Sequence, residues 1–456
     1  MKSNRPYPRA FITPKGERAC RNGHPWVYDA EVERLEAPNG SPAVPDNGAL
    51  VDVLSRKGSY IGTGILSLNS KIRIRLLTTN ANDAFDDAFW ERKIRWAWEH
   101  RKAVMGDDAS ACRMIFSEAD AFCGLVVDRF SDVLVTQTLA YGMERLKPVV
   151  FPLLAKVLAD DGIRIRGIYE RNDVSTRALE GLEQTCGWFP LASGTGLPGE
   201  GAETGGVRAD GNAFPSSRPA AANPPSPLSP DSEAGAAFGP TTVDIVENGV
   251  RYHVDFEHGQ KTGFFLDQKY NRRAVAALAK GRRVLDCFTH TGSFALNAAM
   301  GGAEHVHAVD ISQLAVDMAA ENARLNGLDD RMEFTAANVF DLLPEVERQH
   351  RAPYDFIVLD PPAFTKSRRT IDSATRGYHE INYRAMKALP RGGYLATCSC
   401  SHFMDTERFR AMLASAAHDA GVQLRQVEER QQAPDHPIVW GIPETDYLKF
   451  FIFQVV

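Results

Sequence analysis

The stretch from Arg283 to Asp310, RVLDCFTHTGSFALNAAMGGAEHVHAVD, leaves few folds open to this chain. An apolar run, Val284–Cys287, carries Asp286 and enters a loop, Phe288–Gly292, that opens into a helix-like segment rich in Ala, Leu and Asn. A second apolar run, Val306–Val309, ends at Asp310. This is half of a doubly wound α/β unit, in which ligands bind beyond the carboxyl ends of the strands. An acid about 20 residues after the Gly-bearing turn accepts the ribose hydroxyls. The loop holds one glycine, Gly292, where a pyrophosphate cradle uses three. A cofactor with a ribose and no phosphate fits better, which points to S-adenosylmethionine. On this loop alone, a nucleotide-binding or purely structural βαβ unit stays open.

The 456 residues, 44% hydrophobic and 24% charged, suffice for two or three globular domains. No apolar run reaches the ~18 residues of a membrane span, and the opening MKSNRPYPRA has no signal-peptide core, so the reading is a cytoplasmic protein without a membrane partner. Seven Cys, without a Cys-x-x-Cys pair, argue against a disulfide framework or a structural zinc. A net charge of −6 gives no global nucleic-acid signal, so any RNA contact must be local.

Residues 1–23 carry Lys2, Arg5, Arg9, Lys15, Arg18 and Arg21 against Glu17, either a solvated end or a phosphate-contacting arm. Strand-like runs follow at 49–54, 60–65 and 72–76; in the last, Arg73 and Arg75 alternate with Ile72, Ile74 and Leu76, leaving a face of cations. Residues 84–105 read as a helix burying Trp90, Ile94, Ala97 and Trp98, with Arg92, Lys93, Arg95, Arg101 and Lys102 on the remaining surface. Strands and a helix continue to Glu170. Residues 191–240 are dominated by Gly, Pro, Ala and Ser and read as a disordered insertion. VDIVENGVRYHVDF then predicts a hairpin with a type I′ turn at Asn248-Gly249 and Val250, Tyr252, Val254 and Phe256 on one face. The expected domains are a β-rich module at 1–83, an α+β middle domain at 84–256 containing the insertion, and a Rossmann-like domain at 257–456.

The chemistry concentrates at two strand ends. Tyr354–Leu359 runs into Asp360-Pro361-Pro362-Ala363-Phe364, an acid beside a rigid loop that can hold a planar base, with Phe364 able to stack on it. GGYLATCSCSHFM, from Gly392, ends a strand in two thiols, Cys398 and Cys400, on one face while extended geometry persists. Methylating carbon 5 of a pyrimidine needs a nucleophile at carbon 6, and a Cys suits that reversible addition. Lys366, Arg368 or Arg369 would favour its thiolate. Two buried structural cysteines are the competing reading.

From Asn22 onward, apart from 191–240, the chain resembles the RlmI-type bacterial methyltransferases through GHPWVY, GQKTGFFLDQ, VLDCFTHTGSFAL, VDIS, DPPAFTKSR, RGYHEIN and SCS. The resemblance implies an RNA-binding PUA domain, a small middle domain and a class I catalytic domain forming 5-methylcytosine in 23S ribosomal RNA; it also admits a homodimer. It implies that Phe288, Thr291 and Gly292 line the methionine end of the cofactor, with Asp286 and Asp360 also among the cofactor-lining residues. Asp310 would take the ribose, Asn338 the adenine, Asp360 the cytosine, and Cys400 would attack it. Many relatives carry Asp where this chain has Asn338. Related two-cysteine enzymes place the attacking Cys seven residues after the second Gly of a GG turn, which selects Cys400, although the literal Thr-Cys-Ser contains Cys398. Their second, product-releasing Cys is replaced here by Ala363, so release would use Asp360 or water. Two alternatives remain: a base-nitrogen RNA methyltransferase acting without a covalent intermediate, and an RNA-binding scaffold without catalysis.

Overall fold

The structure is a computed structural model that describes residues 5–191, 224–349, 352–365 and 367–456. Its residues cluster into two compact units, the first comprising Met1–Asp244, Val254–Phe264 and Pro437–Pro443, the second Ile245–His253, Phe265–His436 and Glu444–Val456. No helix among the described residues is long and apolar enough to cross a membrane.

The first unit holds two sheets. One has six strands in the order Trp26–Tyr28, Ile72–Thr78, Tyr60–Leu66, Leu50–Ser55, Arg9–Ile12, Val32–Glu36. Alternation decides which residues face its core: Val51, Val53, Ile74 and Ile12 are fully buried there. The second sheet has five strands between Ala111 and Trp188, with helices Asp87–Met105 and Tyr141–Asp160 packed against each other.

Several residues expected to offer free cations are committed within this unit. Arg75 pairs with buried Glu180 at 2.8 Å, and Arg73 with Asp29 at 2.7 Å. Arg101, expected on the helix surface, is fully buried and pairs with Asp120 at 2.6 Å, while Lys93 donates to the Leu77 carbonyl at 2.8 Å. Arg92 and Lys102 meet Asp83 and Asp161, and Arg95 meets Glu91 and Asp160. In the N-terminal segment Arg5 pairs with Asp52, and Lys2 lies outside the described residues. Arg101 and Lys93 are drawn into the interior against expectation, and most of the remaining cations are neutralised by acids, several of them from distant segments.

Of the expected insertion, residues 192–223 lie outside the described residues. Residues 224–240 correct that reading: Leu228 and Trp188 exchange backbone hydrogen bonds at 2.7 and 2.8 Å, and the Phe238 ring stacks on Trp188 at 5.1 Å. The few apolar residues in a Pro- and Ser-rich run gain an aromatic partner that composition does not reveal.

The second unit is a seven-stranded sheet. Its strands in chain order are β1 (Arg283–Cys287), β2 (His305–Asp310), β3 (Met332–Ala336), β4 (Phe356–Leu359), β5 (Tyr394–Ser399), β6 (Leu424–Arg430) and β7 (Lys449–Val455). They lie in the order β3-β2-β1-β4-β5-β7-β6, with β7 antiparallel to both neighbours and the first five parallel. Helices α1 (Lys269–Leu278), α2 (Ser293–Met300) and α3 (Gln313–Leu325) pack in series on one face. On the other, α4 (Val339–Glu347), α5 (Ile371–Ala388) and α6 (Thr406–Ala420) bury Leu343, Tyr378, Ile381, Phe409 and Leu413 against Leu285, Ile357 and Leu395. The chain reverses winding between β1 and β4, so the loops after those strands diverge and leave a crevice beyond their carboxyl ends.

The hairpin of Thr242–Glu247 and Val250–Asp255 turns at Asn248 (φ 54°) and Gly249 (φ 82°), both left-handed as a type I′ turn requires. Its tip, expected in the middle domain, belongs to the second unit. There the Tyr252 hydroxyl accepts from Asn297 at 2.7 Å, and Arg272 of α1 pairs with Glu247 at 2.6 Å, both side chains buried. Alternation correctly assigns the buried face, but it does not say which core that face covers.

Candidate active site

The site is built on the loop between β1 and α2. Phe288 (φ 64°), His290 (φ 50°) and Gly292 (φ 83°) are all left-handed, a conformation that is costly for the two aromatic residues and is held only where the surroundings enforce it. Two acids do the holding. Asp286, fully buried in β1, accepts through one oxygen from the Thr289 hydroxyl at 2.6 Å and from the Ala295 amide at 2.9 Å. Asp310, closing β2, accepts from the His290 amide and the Ser312 amide, each at 3.0 Å. The His290 ring, edge-on to Phe265 at 5.2 Å, is pushed down to about 4 by burial and stays neutral.

Two groups of this loop have hydrogen-bonding capacity left for a ligand. Asp286 Oδ1 and Thr291 Oγ1 are buried without hydrogen-bond partners. Burial first, and then the charges of Asp360 and Asp310, push the Asp286 carboxyl up to about 7. Neighbouring acids with orphaned oxygens suit a ligand carrying N–H and O–H donors and positive charge, and S-adenosylmethionine brings all three. Asp310 retains lone pairs beyond its two amide donors. Asn338 caps α4, accepting from Phe340 N at 3.1 Å, and is exposed, so its amide can meet an adenine at the rim.

Gly292 has a different reason to be glycine. A Cβ there would stand 2.9 Å from the Cβ of Ala319 in α3, so a glycine lets this loop and α3 come together. Gly292→Ala is expected to cost about 2–4 kcal/mol, from left-handed strain plus overpacking, and to weaken cofactor binding at least about tenfold by displacing Thr291. Thermal unfolding and calorimetric titration with S-adenosylmethionine check the two effects separately.

Across the crevice, Asp360 follows β4, its amide 3.4 Å from the Cys287 carbonyl. One carboxylate oxygen, Oδ1, takes both intramolecular donors, the Cys398 thiol at 2.8 Å and the Gln268 amide at 3.1 Å. Oδ2 is left for a substrate. Burial pushes this carboxyl up to about 6 against the opposing effect of the thiol. Gln268 also donates to Cys398 Sγ at 3.3 Å and is itself fixed by Asn271 at 2.6 Å.

The two thiols both turn toward the Asp360–Pro361 segment, in unlike surroundings. Cys398, the penultimate residue of β5, is fully buried, donates to Asp360, and is pushed well above the usual thiol value by burial. Cys400 lies beyond the end of β5, half-buried, with Sγ 4.0 Å from the Pro361 carbonyl. Its loop is fastened on both sides. Ser399 donates to Tyr378 at 3.0 Å, and Ser401 donates to the Thr365 carbonyl at 3.0 Å. Phe364 packs on Tyr378 at 4.6 Å between ring centres.

The structure therefore gathers Asp286, Phe288, Thr291, Gly292 and Asp310 at one lip, with Asp360, Cys398 and Cys400 at the other. Of the cations expected to favour the thiolate, Lys366 and the side chain of Arg368 lie outside the described residues, and Arg369 is exposed. Sequence reasoning passed over Gln268, Asn271 and Lys449. The signal for Gln268 was its place at the end of GQKTGFFLDQ; Lys449 had none.

Residues 228–453 match the family profile of S-adenosylmethionine-dependent methyltransferases, and residues 11–79 that of PUA-like domains. The chain is 34% identical to Ribosomal RNA large subunit methyltransferase I of Klebsiella pneumoniae over 452 residues, 99% of each chain. It is 35% identical to the Aliivibrio fischeri protein of that name over 448 residues, 98% of this chain and 99% of that one. Among solved structures, a Streptococcus mutans protein described as a SAM-dependent methyltransferase shares the fold at a TM-score of 0.71 and 20% identity, over 98% of this chain and all of the other.

Proposed function

The chain belongs to the family of ribosomal RNA large subunit methyltransferases I, and from that premise we propose that it forms 5-methylcytosine in 23S ribosomal RNA through a covalent adduct on Cys400. S-adenosylmethionine supplies an electrophilic methyl group when bound. In this reading Asp286, Phe288, Thr291, Gly292, Asp310 and Asn338 hold that cofactor, and residues 1–83 form an RNA-binding module ahead of a middle domain and a catalytic domain to which the hairpin tip, Ile245–His253, belongs.

The observation that carries the reading is the unequal burial of the two thiols around one acid. Cys398 spends its proton on Asp360, whereas Cys400 reaches the crevice beside Pro361. Asp360 Oδ2 accepts a hydrogen bond from the exocyclic amine of cytosine, a donor that uracil lacks, so a uridine leaves a partly buried carboxylate unpaired. With the base held by that edge, the Cys400 sulfur adds to carbon 6, carbon 5 becomes electron-rich enough to take a methyl group, and loss of the carbon 5 proton to a base or water then expels the Cys400 thiolate from carbon 6. The amine can be recognised only while Asp360 is ionised.

The acid limb of kcat/KM is therefore expected near pH 6, the value to which burial raises Asp360, with activity falling about tenfold per pH unit below it. In Asp360→Asn that limb should vanish from a much reduced rate. Nucleoside mass spectrometry of methylated RNA tests the reaction itself. A product of N6-methyladenosine or 7-methylguanosine would overturn it.

A further inference from the structure

Lys449 is a charge the reading above leaves unused. It opens β7, whose antiparallel insertion beside β5 pairs it with Ser399, and its side chain is 4% exposed. The ammonium donates to the Ser401 carbonyl at 2.6 Å and to the Tyr447 carbonyl at 2.9 Å, and among the described residues it forms no ion pair. A buried cation without a carboxylate partner is expensive, and chains rarely keep one without a use. Ser401, whose carbonyl it grips, is the residue after Cys400. That contact fixes the loop carrying the thiol and brings the positive charge within electrostatic reach of it.

We propose that Lys449 is the positioning residue that holds Cys400 as a thiolate, a role that rests on Cys400 being the nucleophile. Among the described residues, Tyr378 from α5 and Cys398 from β5 also face this thiol, both pushed above their usual values by burial and so neutral. Asp446 and Asp405 face the ammonium and favour its charge, though burial brings it down to about 8. Around neutral pH, among the described residues, Lys449 is therefore the cation that acts on this sulfur. The thiol proton passes to solvent water, the sulfur keeps its electron pair, and that pair later forms the bond to carbon 6.

The test is the pH profile of Cys400 alkylation by iodoacetamide, with the modified sulfur assigned by fragment mass spectrometry. Lys449→Gln keeps an amide for both carbonyls and removes the charge; Lys449→Arg keeps the charge. The native midpoint should lie below the ordinary thiol value of about 8.5. In Lys449→Gln it should rise, with alkylation at pH 7 slowed roughly tenfold, while Lys449→Arg stays within about twofold of native. A native profile in a folded Lys449→Gln protein would overturn the assignment. Should that variant fail to fold, a higher midpoint in Lys449→Arg, whose charge persists at every pH measured, would overturn it as well. Alkylation needs no turnover, so this outcome is independent of whether Cys400 proves essential for methylation.

Discussion

Replacing Cys400 with Ala is expected to lower methylation by roughly three orders of magnitude or more while leaving S-adenosylmethionine affinity within about twofold, because the variant removes the nucleophile and nothing on the cofactor side of the crevice. RNA containing 5-fluorocytidine gives the sharper readout. The native protein should trap it as a denaturant-resistant complex, since fluorine cannot leave carbon 5 as a proton does, and Cys400→Ala should trap none. Cys398→Ser keeps an O–H to donate to Asp360 and should retain the trap with a loss nearer tenfold. The reverse pattern would move the nucleophile to Cys398.

The largest effect on stability is expected at Arg272. Its guanidinium and the Glu247 carboxylate are buried to within 1% and meet at 2.6 Å, joining α1 to the hairpin tip. Arg272→Met strands that carboxylate and should cost about 3–5 kcal/mol in denaturant unfolding. Burial already raises the Glu247 proton affinity, and Arg272 opposes the shift. Without the Arg the folded-state value rises further. Stability of the variant is then retained below the unfolded value of about 4.3 and lost as pH climbs through the folded one, so the deficit should grow as pH rises above about 4.3. Adding Glu247→Leu should restore most of it. A double variant no more stable than the single one would show that the pair is held by something other than its charges.

The catalytic fold was legible from β1 to β4 because its evidence is local. Asp286, Gly292 and Asp310 fall within one strand-loop-helix-strand run whose periods are readable residue by residue, and the structure brings them to one lip. The Asn248-Gly249 turn was legible for the same reason. What was not legible depends on segments meeting across the chain. Gln268 reaches Asp360 over a separation of 92 residues, and Lys449 reaches Ser401 only because β7 inserts between β5 and β6. Local periodicity predicts neither. The basic helix Asp87–Met105 fails in the same way: its apolar face was right, but Lys93 and Arg101 are buried, and Asp120, Asp160 and Asp161, which meet its cations, come from elsewhere. The thiols sit between these cases. Their spacing was visible, but the burial that separates their chemistry comes from residues that sequence does not place beside them.

The hairpin tip also bears on how the catalytic part of the molecule could be cut out. A fragment started at residue 257, where composition and motif would put the scissors, discards Glu247 and Tyr252, leaving Arg272 and Asn297 facing an empty groove. It also keeps Pro437–Pro443, which cluster with the other unit. The catalytic unit is thus not one continuous piece of chain. A stable catalytic fragment would therefore have to begin upstream of Ile245.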